Sequence, residues 1–305
     1  MKVLVIGLGS IAQKHIHVLR EIVPEVAIYA LRSSRPALPH EKVIDLYDWE
    51  TIDRYDFHFV LICSPSSLHL DHITKIAKLN IPIMVEKPLF ISLEQIRDFE
   101  KRDTSGSLIY VACNFRFHPL LAFIKDFLKK DKSKINEVNA YCGSYLPDWR
   151  PDHDYRKVYS SIKEFGGGVH LDLIHEPDYL VYLFGMPTHA LNTGRKVSSL
   201  QIDSCDSSVS LFQYPDFQAH IVLNYFRRDT KRTLEIVREK DTFLLDFIEG
   251  KIHDLTSGKL LFKDKEQSVY TTYKKQMEFF LKCIENDTIP MNRTAEAVKI
   301  LKLVL

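Results

Sequence analysis

The chain has 305 residues, 45% of them hydrophobic, with 41 basic and 40 acidic side chains. That length exceeds one ordinary core and predicts two domains. The near-cancelling charge leaves no electrostatic footprint for nucleic acid or an anionic membrane, and no apolar run approaches the roughly 18 residues of a membrane span.

Residues 2–6 (KVLVI) read as a buried strand, and Gly7-Leu8-Gly9-Ser10-Ile11-Ala12 follows directly. Strand, glycine turn and helix start, in that order, form the setting in which a G-x-G-x-x-A motif binds a dinucleotide. Gly7 permits the turn, Gly9 removes a Cβ that would block a pyrophosphate, and Ala12 lets the helix pack close. Ser10 and Ile11 open the helix whose N–H groups face the phosphates. Further strand-like runs lie at 26–31, 58–63, 81–85 and 108–113, with helical stretches such as 66–79 and 92–102 between them. This alternation predicts a parallel sheet covered by helices, an N-terminal Rossmann dinucleotide-binding domain over 1–117.

From 118 to 305 the pattern changes. A helix at 120–130 precedes a strand at 137–145, a long connection at 146–165 and a helix ending at Gly185 before Pro187. Strand-like runs follow at 207–214, 218–225, 234–238 and 242–248, with Tyr214-Pro215-Asp216 as a turn. Short turns between strands predict an α+β domain with a largely antiparallel sheet. Two helices, 268–285 and 294–305, close the chain. The apolar run persists to the last residue, a pattern compatible with a natural chain that runs further.

The five cysteines (63, 113, 142, 205 and 283) are scattered without C-x-x-C spacing. They speak against a disulfide framework or a zinc site and for a reducing, cytoplasmic setting. Nothing before the first strand reads as a secretory leader.

Five motifs occur in a fixed order: the glycine turn, Ser64-Pro65-Ser66-Ser67-Leu68-His69, Glu86-Lys87-Pro88, Asn114-Phe115-Arg116-Phe117-His118-Pro119 and Gly166-Gly167-Gly168. That order resembles the glucose–fructose oxidoreductase / inositol dehydrogenase / rhizopine catabolism (Gfo/Idh/MocA) family over nearly the whole chain. The stretch 166–185 is similar to members linked to surface-polysaccharide sugar biosynthesis. The resemblance implies a nicotinamide dinucleotide in the first domain and a sugar-like substrate against the second domain's sheet. It matches Lys87 to the lysine that contacts the reacting hydroxyl and His175 to the histidine assigned as general acid/base. Asn114 and Arg116 match residues lining the cofactor–substrate cleft, and Ser64, Pro65 and His69 match the loop beside the nicotinamide ribose. Glu86, of the same tripeptide as Lys87, is expected to bind the cofactor. By analogy with relatives, the second sheet also makes a homodimer or homotetramer.

One position departs from that pattern. Many relatives carry an Asp four residues before the histidine, where this chain has Leu171. Asp172 lies three before it and shares a helix face with His175 only if the helix is continuous; Pro177 argues for a helix start near 174. A structural alternative for His175 is a hydrogen bond to Asp178. At the end of the second strand, Leu31-Arg32-Ser33-Ser34-Arg35 offers no carboxylate for a ribose 2′-hydroxyl. Arg32, Ser33 and Arg35 suit a 2′-phosphate instead, which favours NADP over NAD. In the 146–165 connection, Trp149, Arg150, Tyr155, Arg156 and Tyr159 offer stacking and anion contacts for a sugar or nucleotide-sugar. The expected function is an NAD(P)-dependent sugar dehydrogenase or reductase; the alternative is a non-catalytic dinucleotide-binding sensor.

Overall fold

The computed structural model describes residues 1–33, 40–102, 107–266 and 269–305. Two compact units emerge, Met1–Asn114 with Tyr270–Lys299 and Phe115–Val269 with Ile300–Leu305.

The first unit is built on β1 (Lys2–Ile6), α1 (Ser10–Ile22), β2 (Ala27–Leu31), β3 (Val43–Leu46), β4 (Phe59–Ile62), α2 (His69–Ala77), β5 (Ile83–Glu86), α3 (Leu93–Glu100) and β6 (Ile109–Ala112). Its six strands are all parallel in the order β3-β2-β1-β4-β5-β6. Strand order reverses between β1 and β4, and the crevice at their carboxyl ends is where such a sheet binds ligands. Strands β4, β5 and β6 are buried along their full length, as expected of strands covered on both faces. β3 is short and half-exposed, with Asp45 in its middle, and carries no strand signal of its own. The stretch expected as a helix over 66–79 starts with a 3₁₀ turn, Ser66–Leu68, before α2.

The second unit contains α4 (Pro119–Lys130), β7 (Ile135–Tyr145), α5 (Val169–Asp172), α6 (His175–Phe184), β8 (His189–Arg195), β9 (Ser207–Gln213), β10 (Gln218–Asn224), β11 (Phe226–Arg238), β12 (Thr242–Asp246), β13 (Lys251–Asp254) and β14 (Lys259–Lys263). Its eight strands run β14-β13-β12-β11-β7-β10-β9-β8. All neighbours are antiparallel except β7 and β10. Alternate residues such as Val138, Ala140, Ile221, Leu223, Leu234 and Ile236 are fully buried, so one face carries the core. The edge strands β8 and β14 lack that alternation and were invisible to periodicity. The 146–165 connection is ordered as four 3₁₀ turns.

Two terminal helices follow, α7 (Val269–Glu285) and α8 (Thr294–Lys302). The division expected after residue 117 falls after Asn114, and Tyr270–Lys299 belongs to the first unit rather than to a 118–305 domain. The reason is apolar burial. Met277 and Phe280 of α7 share one core with Val3, Val5, Phe59, Leu61 and Tyr110. Phe280 meets the Phe59 ring edge-on at 5.4 Å and stacks near Tyr110 at 5.7 Å. Beyond α7, Asn292 extends the open edge of β6: its carbonyl accepts from Val111 N at 3.1 Å, and its side-chain Nδ2 donates to Val111 O at 2.9 Å. Among the described residues no helix is long and apolar enough to cross a membrane.

Because Phe280 is fully buried in the first unit's core, Phe280→Ala should lower unfolding free energy by about 3–5 kcal/mol in urea denaturation. A loss below about 1 kcal/mol would show that α7 is not part of that core.

Candidate functional site

At the carboxyl ends of β1 and β4 lies a cavity of about 430 Å³ lined by Gly7, Gly9, Arg32, Ser33, Ser64 and Pro65, together with Tyr47, Trp49, Leu68 and His72. That volume lies within the usual range of small-molecule sites. Gly7 has φ +86°, and a Cβ there would come within 2.9 Å of the Ser64 backbone, so the two turns touch only because residue 7 is glycine. A Cβ on Gly9 would meet nothing within 4 Å: the space above it is open. α1 begins with Gly9 as its N-cap, without a side-chain cap and without an acidic residue in its first turn, formed by Ser10 and Ile11. Its unpaired N–H groups and positive dipole end are therefore available to an anion. Bare glycine backbone, an uncapped helix start and adjoining pocket space fit the pyrophosphate of a dinucleotide.

The polar residues around this cavity divide by partner. Arg32 lines it, but its Nη1 also lies 2.9 Å from Asp45 Oδ1. Arg35 lies outside the described residues. His69, expected beside the nicotinamide ribose, is instead fully buried. Its Nδ1 lies 3.0 and 3.2 Å from the Pro88 and Leu89 carbonyls, and its Nε2 lies 3.1 Å from the Ser64 carbonyl. The imidazole ties two loops together and leaves no edge for a ligand. Glu86, expected at the cofactor, is 8% exposed. Its Oε1 lies 2.6 Å from His15 Nε2, and its Oε2 accepts the Lys87 N–H at 3.2 Å. Lys87 itself is half-buried at the carboxyl end of β5, joined to Pro88 by a cis peptide bond. Asn114, also expected to line the cofactor cleft, is buried and donates from Nδ2 to Thr272 Oγ1 at 2.7 Å.

In the second unit the helix bearing His175 begins close to residue 174, where Pro177 predicts its start. α5 ends at Asp172, Leu173 and Ile174 intervene, and α6 starts at His175. Pro177 then falls in the first turn, where its missing N–H costs nothing. Asp172 lies outside α6 and accepts hydrogen bonds from the Tyr159 and Tyr225 hydroxyls. Burial, reinforced by the Asp172 charge, pushes the Tyr225 phenol well above its ordinary range, which keeps it a donor. His175 is 9% exposed, and its ring lies 5.5 Å from that of Phe115. Asp178, the structural alternative as partner for His175, binds Arg116 bidentately, with both N···O distances 2.8 Å. Arg116 is 3% exposed and forms half of a buried ion pair. Of the loop residues, Trp149, Arg150, Tyr155 and Tyr159 surround a small cavity of about 110 Å³. Trp149 Nε1 donates to Ser144 Oγ at 2.8 Å, while Arg156 chelates Asp154 through Nε and Nη2, both at 2.8 Å.

Sequence reasoning missed Tyr47, Trp49, His72 and Tyr225. Trp49 and His72 pack with ring centroids 5.2 Å apart, and His72 Nδ1 lies 2.8 Å from Ser64 Oγ. The available signal for His72 was its place three residues after His69, on the helix that follows β4. Burial lowers the His72 pKa from 6.5 to about 4. In that window the unfolded chain binds the proton and the folded one does not, so stability present above pH 6.5 is lost as pH falls towards 4. The melting temperature should therefore fall between pH 7 and pH 4.5, and less steeply in His72→Gln; parallel curves for the two proteins would contradict this.

Residues 1–111 match the model described as "Oxidoreductase family, NAD-binding Rossmann fold". Levoglucosan dehydrogenase of Pseudarthrobacter phenanthrenivorans is 29% identical over 142 residues, 45% of this chain and 36% of that protein's length. The scyllo-inositol 2-dehydrogenase (NAD(+)) of Bacillus subtilis is 23% identical over 94% of this chain and 87% of its own. In fold, the WlbA dehydrogenase from Bordetella pertussis, solved with NADH and UDP-GlcNAcA, superposes with a TM-score of 0.82 at 16% identity, covering 99% of this chain and 93% of that one. Residues 1–111 are thus similar to the NAD-binding Rossmann part of the Gfo/Idh/MocA oxidoreductases, and the chain shares the two-unit fold of these dehydrogenases.

Proposed function

We propose that this chain is an NAD(P)-dependent oxidoreductase that interconverts a carbinol and a carbonyl carbon of a sugar, nucleotide-linked or acidic. The observation that carries the reading is the glycine-lined cavity at the β1/β4 switch point, in the same sheet whose β5 ends in Glu86-Lys87-Pro88. The named relatives, two dehydrogenases and a WlbA structure holding NADH and UDP-GlcNAcA, support the substrate class. When bound, the nicotinamide supplies the hydride chemistry.

The protein's own groups supply placement and proton control. The ammonium of Lys87 lowers the pKa of the reacting hydroxyl and stabilises the alkoxide character that develops there. His175 takes the hydroxyl proton and passes it to solvent; in the reductive direction it returns the proton to the carbonyl oxygen. Asp172, gripped by Tyr159 and Tyr225, anchors the turn that leads into α6 and so orients His175 from behind. Trp149 and Tyr159 give the substrate an aromatic wall. Gly7, Gly9, Ser10 and Ile11 receive the pyrophosphate, and Arg32 with Ser33 inclines the site towards NADP.

The test follows nicotinamide absorbance with NADP and NAD against free sugars, nucleotide-sugars and uronic acids. Wild-type turnover with loss of at least about a thousandfold in Lys87→Met, and coenzyme binding retained, is the expected result. Coenzyme binding without turnover on any of these substrates would favour the sensor. Gly9→Ala, whose added Cβ meets no heavy atom within 4 Å, should keep the fold, at a cost of about 1 kcal/mol at the helix start, yet weaken NADPH and NADH binding at least about tenfold. Undiminished binding would move the pyrophosphate elsewhere.

A further inference from the structure

The carboxylate absent from the end of β2 is present one strand away. β2 and β3 pair in parallel with Ala30 opposite Asp45 and Leu31 opposite Leu46, and Arg32 N donates to Leu46 O at 2.8 Å. This register holds Asp45 beside the root of Arg32, and the two side chains meet at 2.9 Å with only 14% and 20% of their surfaces exposed. Arg32 faces the cavity and Asp45 stands behind it, outside the lining.

We propose that Asp45 sets the coenzyme preference by acting through Arg32, a role that rests on the dinucleotide reading of this cavity. A bare guanidinium at this position would bind a doubly charged 2′-phosphate much better than a 2′-hydroxyl. With Asp45 in contact, one guanidinium donor is already engaged and its charge is compensated. An incoming phosphate also meets the repulsion of a second anion a few ångströms further on. A ribose 2′-hydroxyl carries no charge and is indifferent to that repulsion. Asp45 therefore restrains the preference for NADP that Arg32 creates, and the chain accepts both coenzymes. It is a positioning and charge-balancing residue that does not itself touch the coenzyme.

The experiment measures dissociation constants of NADPH and NADH by titration calorimetry for the wild type, Asp45→Asn, Asp45→Glu, Arg32→Ala and the double variant Arg32→Ala/Asp45→Asn, with melting temperatures as the folding control. Asp45→Asn should raise the NADPH:NADH affinity ratio about tenfold, and Asp45→Glu should stay near the wild type. Arg32→Ala should collapse the ratio, and Asp45→Asn should add nothing in that background, since the effect runs through the guanidinium. An unchanged ratio in Asp45→Asn, a ratio shifted towards NADH, or an equal effect with Arg32 absent would each overturn the proposal while leaving the coenzyme reading intact. Failure of the wild type to bind either coenzyme would overturn that reading itself, and this proposal with it.

Discussion

The first unit depends on one buried contact, the 2.6 Å approach of His15 Nε2 to Glu86 Oε1. His15 belongs to the helix that leaves the glycine turn, and Glu86 ends the strand that delivers Lys87. The contact lies where the side chains are 1% and 10% exposed, so water competes little for it and its loss would strand a buried polar group. The second oxygen of Glu86 accepts the main-chain N–H of Lys87, so one carboxylate touches both α1 and the start of the lysine corner. His69 secures the far side of that corner through the Pro88 and Leu89 carbonyls and reaches back to Ser64. Burial lowers the pKa of His69, while the three carbonyl oxygens around the ring, which can only accept, work against that shift. The helix after the glycine turn, the Ser64 turn and the lysine corner are thus joined by one set of hydrogen bonds.

The second unit solves its problem with charge. α6 carries Glu176 and Asp178 in its first turn, a favourable place for acids beside the helix dipole. Each is met by an arginine from another element: Arg116 takes Asp178, and Arg232 of β11 donates from Nε to Glu176 Oε1 at 2.7 Å. Arg232 also lies over the Phe115 ring at 3.7 Å. Removing one partner of such a pair typically costs about 3–5 kcal/mol, because the other is left charged and desolvated. The pairs therefore specify how α6 seats on the sheet more than they add net stability. That seating holds His175 against Phe115, and the Tyr159–Asp172–Tyr225 contacts fix the turn just before it.

Much of the fold and part of the site were legible because they are local. The glycine turn, the apolar strands β1, β4, β5 and β6, the turn at Tyr214 and the end of α6 at Gly185 each follow from neighbouring residues and backbone sterics. Gly185 adopts φ +81°, and its N–H closes on the Val181 carbonyl. The edge strands β3, β8 and β14 were not legible, because they bury too little to impose a regular pattern. Several expected site residues share one feature, a protein partner that the sequence does not name. A motif match for His69, Glu86, Asn114 and Arg116 places each residue in the chain but does not say which protein group claims its polar atoms. Pro88, His15, Thr272 and Asp178 hold those claims, and most of them lie far away in sequence.

From its order of residues alone, the chain determined that a Rossmann unit begins at residue 2, that a glycine turn opening a helix follows it, and that Lys87 stands at a strand's carboxyl end. These conclusions need only periodicity, glycine stereochemistry and chain direction. Tertiary structure decided that α7 completes the first core, that Asp45 stands behind Arg32, and that Asp172 serves two tyrosines across a helix break. The physical reason is that partner choice among polar groups is settled by distance and burial after the chain has folded back on itself, and no local pattern encodes it.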